Sequence, residues 1–336
     1  MNNNWSDERE VAPKPFGFVP FPSAVKRENT VGQDKVLSGD YVSGRLLLQV
    51  EARTHLFVAS GSYLLGEDAQ LEVPVVAGFY RVGGVPAIPG SSLKGMTRSI
   101  VEAVTPSCVT ATNARREELP IDTSRARDGC RPGNACPACS IFGCMGRLSK
   151  VRFGDLRPPS EPPVKTILWS FKPLHNPRPS TTSQVYGNQR QFAGRKFYRP
   201  GKMAGAPDET PVEVLPAGTK LFGSVRLWNL TPAEVGALLF GLGLDGTLTP
   251  KLGGGKPRCL GAVTLSAVWF APFNPRNWTR IRNLGSTLKE HALQSWIEQY
   301  IGIARTNQYL LDEQVAALRE ILRMPTGDAV CPADLY

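Results

Sequence analysis

Ile88-Pro-Gly-Ser-Ser-Leu-Lys-Gly-Met-Thr-Arg98 turns an extended run into a helix, and that turn decides the fold. The Pro-Gly pair breaks the strand before it, and Leu93 to Val104 then reads as a helix with Met96, Ile100, Val101 and Val104 on one apolar face. Upstream, residues 44–60 alternate and then run apolar, as a buried strand does, and residues 71–88 hold two short strands about Gly83-Gly84. Downstream, residues 148–157 and 219–230 alternate as strands. A second helix follows the Thr231 N-cap with Pro232 in first position, and a further strand spans Leu252 to Phe270. Strand, helix, strand, strand, helix, strand is the plan of an α+β, ferredoxin-like core with large insertions. The opening turn also carries chemistry. It delivers Ser91, Ser92 and Lys94 to a helix start, where backbone N–H groups, hydroxyls and a cation suit phosphate oxygens.

The flanks organise around this core. Residues 1–40 read as an extended arm that docks the aromatics of Phe16-Gly-Phe-Val-Pro-Phe-Pro22. The core spans 41–270 and is interrupted twice: residues 105–147 hold a cysteine cluster, and residues 158–213 form a long excursion rich in proline, serine and basic residues. Excursions longer than ~15 residues are usually functional. Residues 271–336 form a helical tail with two amphipathic helices, about Leu288–Ile301 and Leu310–Leu322. Their pattern leaves open whether they pack on the core or serve partner subunits.

Composition sets the partner class. A net charge of +10 favours a polyanion, nucleic acid above all. No apolar run reaches the ~18 residues of a membrane span. The amino terminus has no apolar signal region, so the expected compartment is the cytoplasm and no membrane partner is expected. In that compartment crowded cysteines are metal ligands sooner than disulfides. The cluster runs Cys130, Cys136, Cys139, Cys144. The knuckle Cys136-Pro-Ala-Cys139 brings thiolates to one ion, Cys130 joins them, and Cys144 takes the fourth place in competition with Cys108. Zinc suits such a set, in a closed, structural role; Cys259 and Cys331 read as ordinary residues.

Two more elements carry cations. In Lys251-Leu-Gly-Gly-Gly-Lys-Pro-Arg-Cys-Leu-Gly-Ala-Val263, Gly254 and Gly255 let a phosphate backbone approach the main chain, while Lys256 and Arg258 supply charge. In Gln189-Arg-Gln-Phe-Ala-Gly-Arg-Lys-Phe-Tyr-Arg-Pro-Gly-Lys202, the cations Arg190, Arg195 and Lys196 interleave with Phe192, Phe197 and Tyr198, the pattern that tracks phosphates and stacks bases of a single strand. Nucleophilic catalysis finds little support: of His55, His175 and His291, the first reads as a core histidine, and no Gly-x-Ser-x-Gly elbow occurs. Asp68 and Glu72 lie close enough to hold magnesium, although a solvated loop is the commoner reading of such a pair.

The Ile88–Gly95 turn, the Cys-Pro-Ala-Cys-Ser-Ile-Phe-Gly run at 136–143 and the glycine loop at 253–261, in this order, resemble the repeat-associated mystery proteins (RAMPs) of CRISPR systems. More closely, the chain looks like the backbone subunits of type III and related class 1 effector complexes. Phe18-Val-Pro-Phe-Pro22 and Gly194-Arg-Lys-Phe-Tyr198 share in that likeness, which covers residues 15–270. The resemblance implies an RNA-recognition-motif-like core and several copies stacked along one guide RNA. It implies a thumb that wedges into the guide–target duplex at regular intervals, for which 158–213 is the candidate. Ser91, Ser92, Lys94 and Arg98 would hold guide phosphates, and Gly254, Gly255, Lys256 and Arg258 would touch the same strand. In target-cleaving relatives an aspartate in the loop before the Ile-Pro-Gly-Ser-Ser motif cuts target RNA with a metal ion. That place falls on Glu72, with Asp68 nearby and out of register. A glutamate is a methylene longer, and in-line attack is sensitive to shifts of ~1 Å. The expected role is therefore a scaffold that presents guide to complementary target RNA beside other effector subunits, including a separate nuclease. A target-cutting endoribonuclease, with magnesium, is the first alternative, and a guide-precursor processing ribonuclease the second.

Overall fold

The computed structural model describes residues 15–29, 31–32, 41–67, 75–110, 112–122, 129–171, 180, 185–188, 190–203, 210–273 and 286–326. A short strand β1 (Phe16–Pro20) precedes the long β2 (Val42–Ala52), then β3 (Ala59–Leu65), β4 (Val75–Phe79) and the small hairpin β5 (Arg81–Val82) and β6 (Val85–Pro86). The helix α1 (Gly90–Val104) follows, then α2 (Pro137–Phe142), β7 (Val151–Phe153), β8 (Ile167–Phe171), β9 (Gly194–Tyr198) and β10 (Thr210–Val214). The second half contributes β11 (Lys220–Leu230), α3 (Pro232–Gly241), β12 (Val263–Pro272), β13 (Leu288–Lys289), α4 (Glu290–Thr306) and α5 (Asp312–Leu322).

The main sheet has the order β13-β12-β2-β11-β7, antiparallel throughout. Its register follows from the period-two pattern of β2: Leu46, Leu48, Val50 and Ala52 all turn inward. Val50 lies opposite Leu221 of β11 and Leu265 of β12, so one buried apolar row crosses three strands. Leu93, Met96, Ile100, Val101 and Val104 of α1 join that core, as their spacing predicts. The helix begins at Gly90, three residues before Leu93. Gly90 is required there: a Cβ would stand 2.2 Å from the carbonyl oxygen of Phe153, so only glycine lets the helix start against β7.

The helix α3 has the anticipated start. Thr231 accepts from the Glu234 N–H while the Glu234 carboxylate accepts from Thr231 N–H, a reciprocal cap, with Pro232 in the first turn. All its residues from Ala233 to Gly241 are buried, which demands cover on every side. The cover is α4, packed on α3 through Leu293, Ile297, Ile301 and Ala304, while α5 packs against β1, β9 and α1. The two tail helices therefore complete the core.

Further expected elements differ in extent: the buried strand read over 44–60 ends at Ala52, and Ala59–Leu65 is a separate, exposed strand. The strand at 148–157 is only Val151–Phe153, and the strand expected from Leu252 starts at Val263, because the glycine loop fills 252–262. The excursion at 158–213 carries three strands. Of these, β8 and β10 join β3 and β4 in a second sheet, order β3-β4-β10-β8, and β9 pairs antiparallel with β1, Phe18 opposite Lys196. Residues 16–20 of the arm thus bind to the third cationic element. Among the described residues, no helix is long and apolar enough to cross a membrane.

Candidate metal centre and nucleic-acid interface

The chain segment after α1 brings Cys108 beneath the loop that carries Cys130, and Cys136 caps the short α2 with Cys139 in its first turn. Pro137 at the first helical position fixes that turn, so both thiols of the knuckle point to one side. The ligand atoms of Cys108, Cys130, Cys136 and Cys139 lie within 4.8 Å of one another, and all four residues are buried. Cys108 Sγ stands 3.8 Å from Cys130 Sγ and 3.6 Å from both Cys136 Sγ and Cys139 Sγ. A tetrahedral ion with bonds of ~2.3 Å to sulfur needs edges of about 3.8 Å. The three edges from Cys108 match that length, so the set could hold a metal ion such as zinc. Mutual hydrogen bonding among the thiols pushes Cys130 well down and Cys136 down to about 7, and pushes Cys108 and Cys139 up. The fourth thiol of the cluster is that of Cys108, and Cys144 is not among the four. The Cys144 thiol sits outside the group, half-buried, against the carbonyl oxygen of Cys130 at 3.5 Å.

Around the thiols lies a charge network. Arg98 donates from Nη2 to Cys139 Sγ at 3.7 Å and from Nε to Glu102 Oε1 at 2.8 Å. Arg195, reaching in from β9, donates from Nη2 to Glu102 Oε2 at 2.7 Å and to the Cys108 carbonyl at 3.1 Å. Glu102 is buried, and a buried carboxylate needs counter-charge. Arg98 and Arg195, expected on the RNA, are thus turned inward and tie α1 and β9 to the cysteines. Glu102→Gln should cost about 2 kcal/mol, the loss of charge-assisted hydrogen bonds at partly buried sites. Urea unfolding measures it, and an unchanged midpoint would mean that the network holds nothing together.

The helix start is partly occupied by the chain itself. Gly90 N–H donates to Asp155 Oδ1 at 2.8 Å, so one anion position is already filled. Ser91 is exposed, and Ser92 and Lys94 are half-buried; burial and then Arg98 push the Lys94 ammonium down. In the glycine loop, Gly253 (φ +80°) passes so close to Phe57 that a Cβ would stand 2.1 Å from its carbonyl oxygen, and Gly254 N–H donates to that oxygen at 2.8 Å. These glycines serve close packing. Gly255 and Arg258 are buried, and Lys256 is half-buried with its ammonium pushed down by burial. Arg190 is exposed. Lys196 Nζ sits among rings, 4.2 Å from the Phe16 centroid, 4.7 Å from Tyr198 and 5.3 Å from Tyr186, and burial pushes it down to about 8.

One cavity of about 780 Å³ gathers these elements. Gly95 and Ser99 of α1, the β1–β9 ribbon, and Lys251 and Lys256 of the glycine loop line it. Lys251 escaped sequence reasoning. It opens the quoted loop as a charge between Pro250 and Leu252, and that position was the available signal. Ser91, Ser92 and Lys94 lie one turn earlier on α1. His55 is half-buried against Trp169, its Nδ1 accepts from Ala217 N–H at 3.0 Å, and burial lowers its pKa, as suits a structural neutral ring. Asp68, Glu72 and His175 lie outside the described residues.

Together these features define a basic α+β protein with a buried four-cysteine group that could hold a metal ion such as zinc, and a cavity lined by lysines. The family model of the RAMP superfamily matches residues 49–262, more than half of the 336-residue chain, from β2 through α1, the cysteines and the glycine loop. The chain belongs to that superfamily. Membership implies CRISPR-associated RNA binding in ribonucleoprotein complexes. No curated protein matches the chain.

Proposed function

We propose that the chain is a guide-RNA-binding backbone subunit of a type III-like class 1 CRISPR effector, stacking in several copies along the guide and presenting it to complementary target RNA in antiviral defence. The observation that carries this reading is the convergence of α1, the glycine loop and β9 on one cavity in a chain of net charge +10. The order β12-β2-β11-β7, with α1 after β2 and α3 after β11, supports a ferredoxin-like core. The four-thiol geometry supports zinc in a structural role, since a closed set leaves no position for water. The excursion at 158–213, the candidate thumb, contributes β8 and β10 to the second sheet and exposes Ile167 and Leu168 there.

On this reading Ser91, Ser92 and Lys94 hold guide phosphates at the start of α1, and Lys256 contacts the same strand. Lys94→Ala should weaken guide affinity across all sequences and reduce the slope of log K against log salt by about 1. Titration of labelled guide RNA at several salt concentrations measures both; an unchanged slope would remove Lys94 from the interface. Scaffold is preferred over nuclease because Glu72 stands where cleaving relatives use aspartate. Magnesium-dependent cutting of complementary RNA by the assembled complex, lost on Glu72→Ala or Asp68→Ala, would overturn that preference.

A further inference from the structure

Lys251 is buried, and among the described residues its Nζ has no hydrogen-bond partner. An unpaired buried ammonium is costly, and a chain keeps one where something else supplies the charge. Burial and then the neighbouring Lys256 push it down to about 7, and an anion beside it offsets both effects. Lys251 lines the cavity between α1 and the β1–β9 ribbon.

The other charges of that cavity are already committed. Arg195 is held by Glu102, and the Lys196 ammonium lies among three rings. Among the described residues the lining has one acid, Glu118, whose carboxylate accepts from Arg115 N–H at 2.7 Å. Lys251 and Lys256 are left to face an anion. The same lining holds the rings of Phe18, Phe192 and Phe197, together with Ser99 and Asn113. The volume of about 780 Å³ lies in the range of sites that enclose a whole small molecule, ~300–1,000 Å³, and a lone phosphate would leave most of it empty.

We infer that this cavity takes one complete nucleotide, its phosphate on Lys251 and Lys256 and its base against the aromatic wall. Two sources supply that chemistry: a nucleotide of bound RNA turned inward, or a free mononucleotide. The first source rests on the proposed RNA-binding function; the second does not.

Calorimetric titration of the full chain with adenosine 5′-monophosphate, alone and after saturation with a short single-stranded RNA, tests the inference. Lys251→Met should weaken nucleotide binding about tenfold, the loss of one charge-assisted contact. It should also raise the melting temperature of the ligand-free chain, because methionine fills the space without a charge; a purely structural lysine would lower it. If RNA supplies the nucleotide, saturating RNA blocks the monophosphate and Lys251→Met weakens RNA binding too. If the nucleotide is free, Lys251→Met weakens monophosphate binding and leaves RNA affinity intact. Lys256→Ala, at a half-buried position, should reproduce the affinity loss should Lys251→Met fail to fold. Equal nucleotide binding by wild type and both variants overturns the inference. So does no nucleotide binding together with unchanged RNA affinity in both variants. Failure of the wild type to bind RNA refutes the guide-binding function and leaves the monophosphate titration to decide the cavity.

Discussion

Cys108→Ser is expected to strip the metal from the chain and lower its melting temperature as far as Cys136→Ser does, while Cys144→Ser leaves both unchanged. The distances of 3.6–3.8 Å from Cys108 Sγ to the other three thiols place it at a vertex of the tetrahedron. A structural zinc site contributes ~10–16 kcal/mol of folding free energy in small peptides at neutral pH. Loss of one ligand from a site that joins the end of α1 to α2 and the loop between them should therefore cost several kcal/mol. For a domain of this size that is a fall of roughly 10 °C or more. Metal content per chain and thermal unfolding with and without chelator give the two readouts. Full metal in Cys108→Ser, with loss in Cys144→Ser, would return the fourth place to Cys144.

The second large effect is expected inside the core. Lys150 and Glu234 are both fully buried, with Nζ 2.7 Å from Oε2 and 2.9 Å from Oε1. Glu234 also accepts from the Ser140 hydroxyl and from Thr231 N–H, so one carboxylate joins α2, the start of α3 and the strand-side lysine. Lys150→Ala strands that carboxylate without counter-charge and should cost ~3–5 kcal/mol. Replacing both, Lys150→Met with Glu234→Gln, should recover most of the loss, because the amide still caps α3 and no charge remains buried. Chemical denaturation of the wild type, single and double variants at neutral pH decides it. A single-variant loss under ~1 kcal/mol would mean that water reaches the pair.

What the residues reveal on their own is the local part of the fold. β2 and β11 follow from the alternation in their sequences, and α3 follows from Thr231, Pro232 and Glu234, all within one turn. The site is legible to the same degree: the Cys136–Cys139 knuckle is a local spacing. Cys108 is not, since its distance along the chain says nothing of its distance from Cys130 in space. Arg98 and Arg195 show a second limit. Their charges are visible in the sequence, but the buried Glu102 that consumes them is visible only once α1 and β9 are side by side. The Pro-Gly-Ser-Ser turn shows a third, because Asp155, just after β7 and distant along the chain, supplies the helix-start acceptor.

The central position of β2 has a consequence for how the chain is made. Val50 waits for Leu221 on one edge and Leu265 on the other. High contact order of this kind slows folding. During synthesis, an apolar strand with both edges open emerges long before either neighbour exists, the condition that invites off-pathway pairing. Expression at reduced temperature, or with chaperones that shield strands, should therefore raise the soluble yield more than changes made after the sheet has closed.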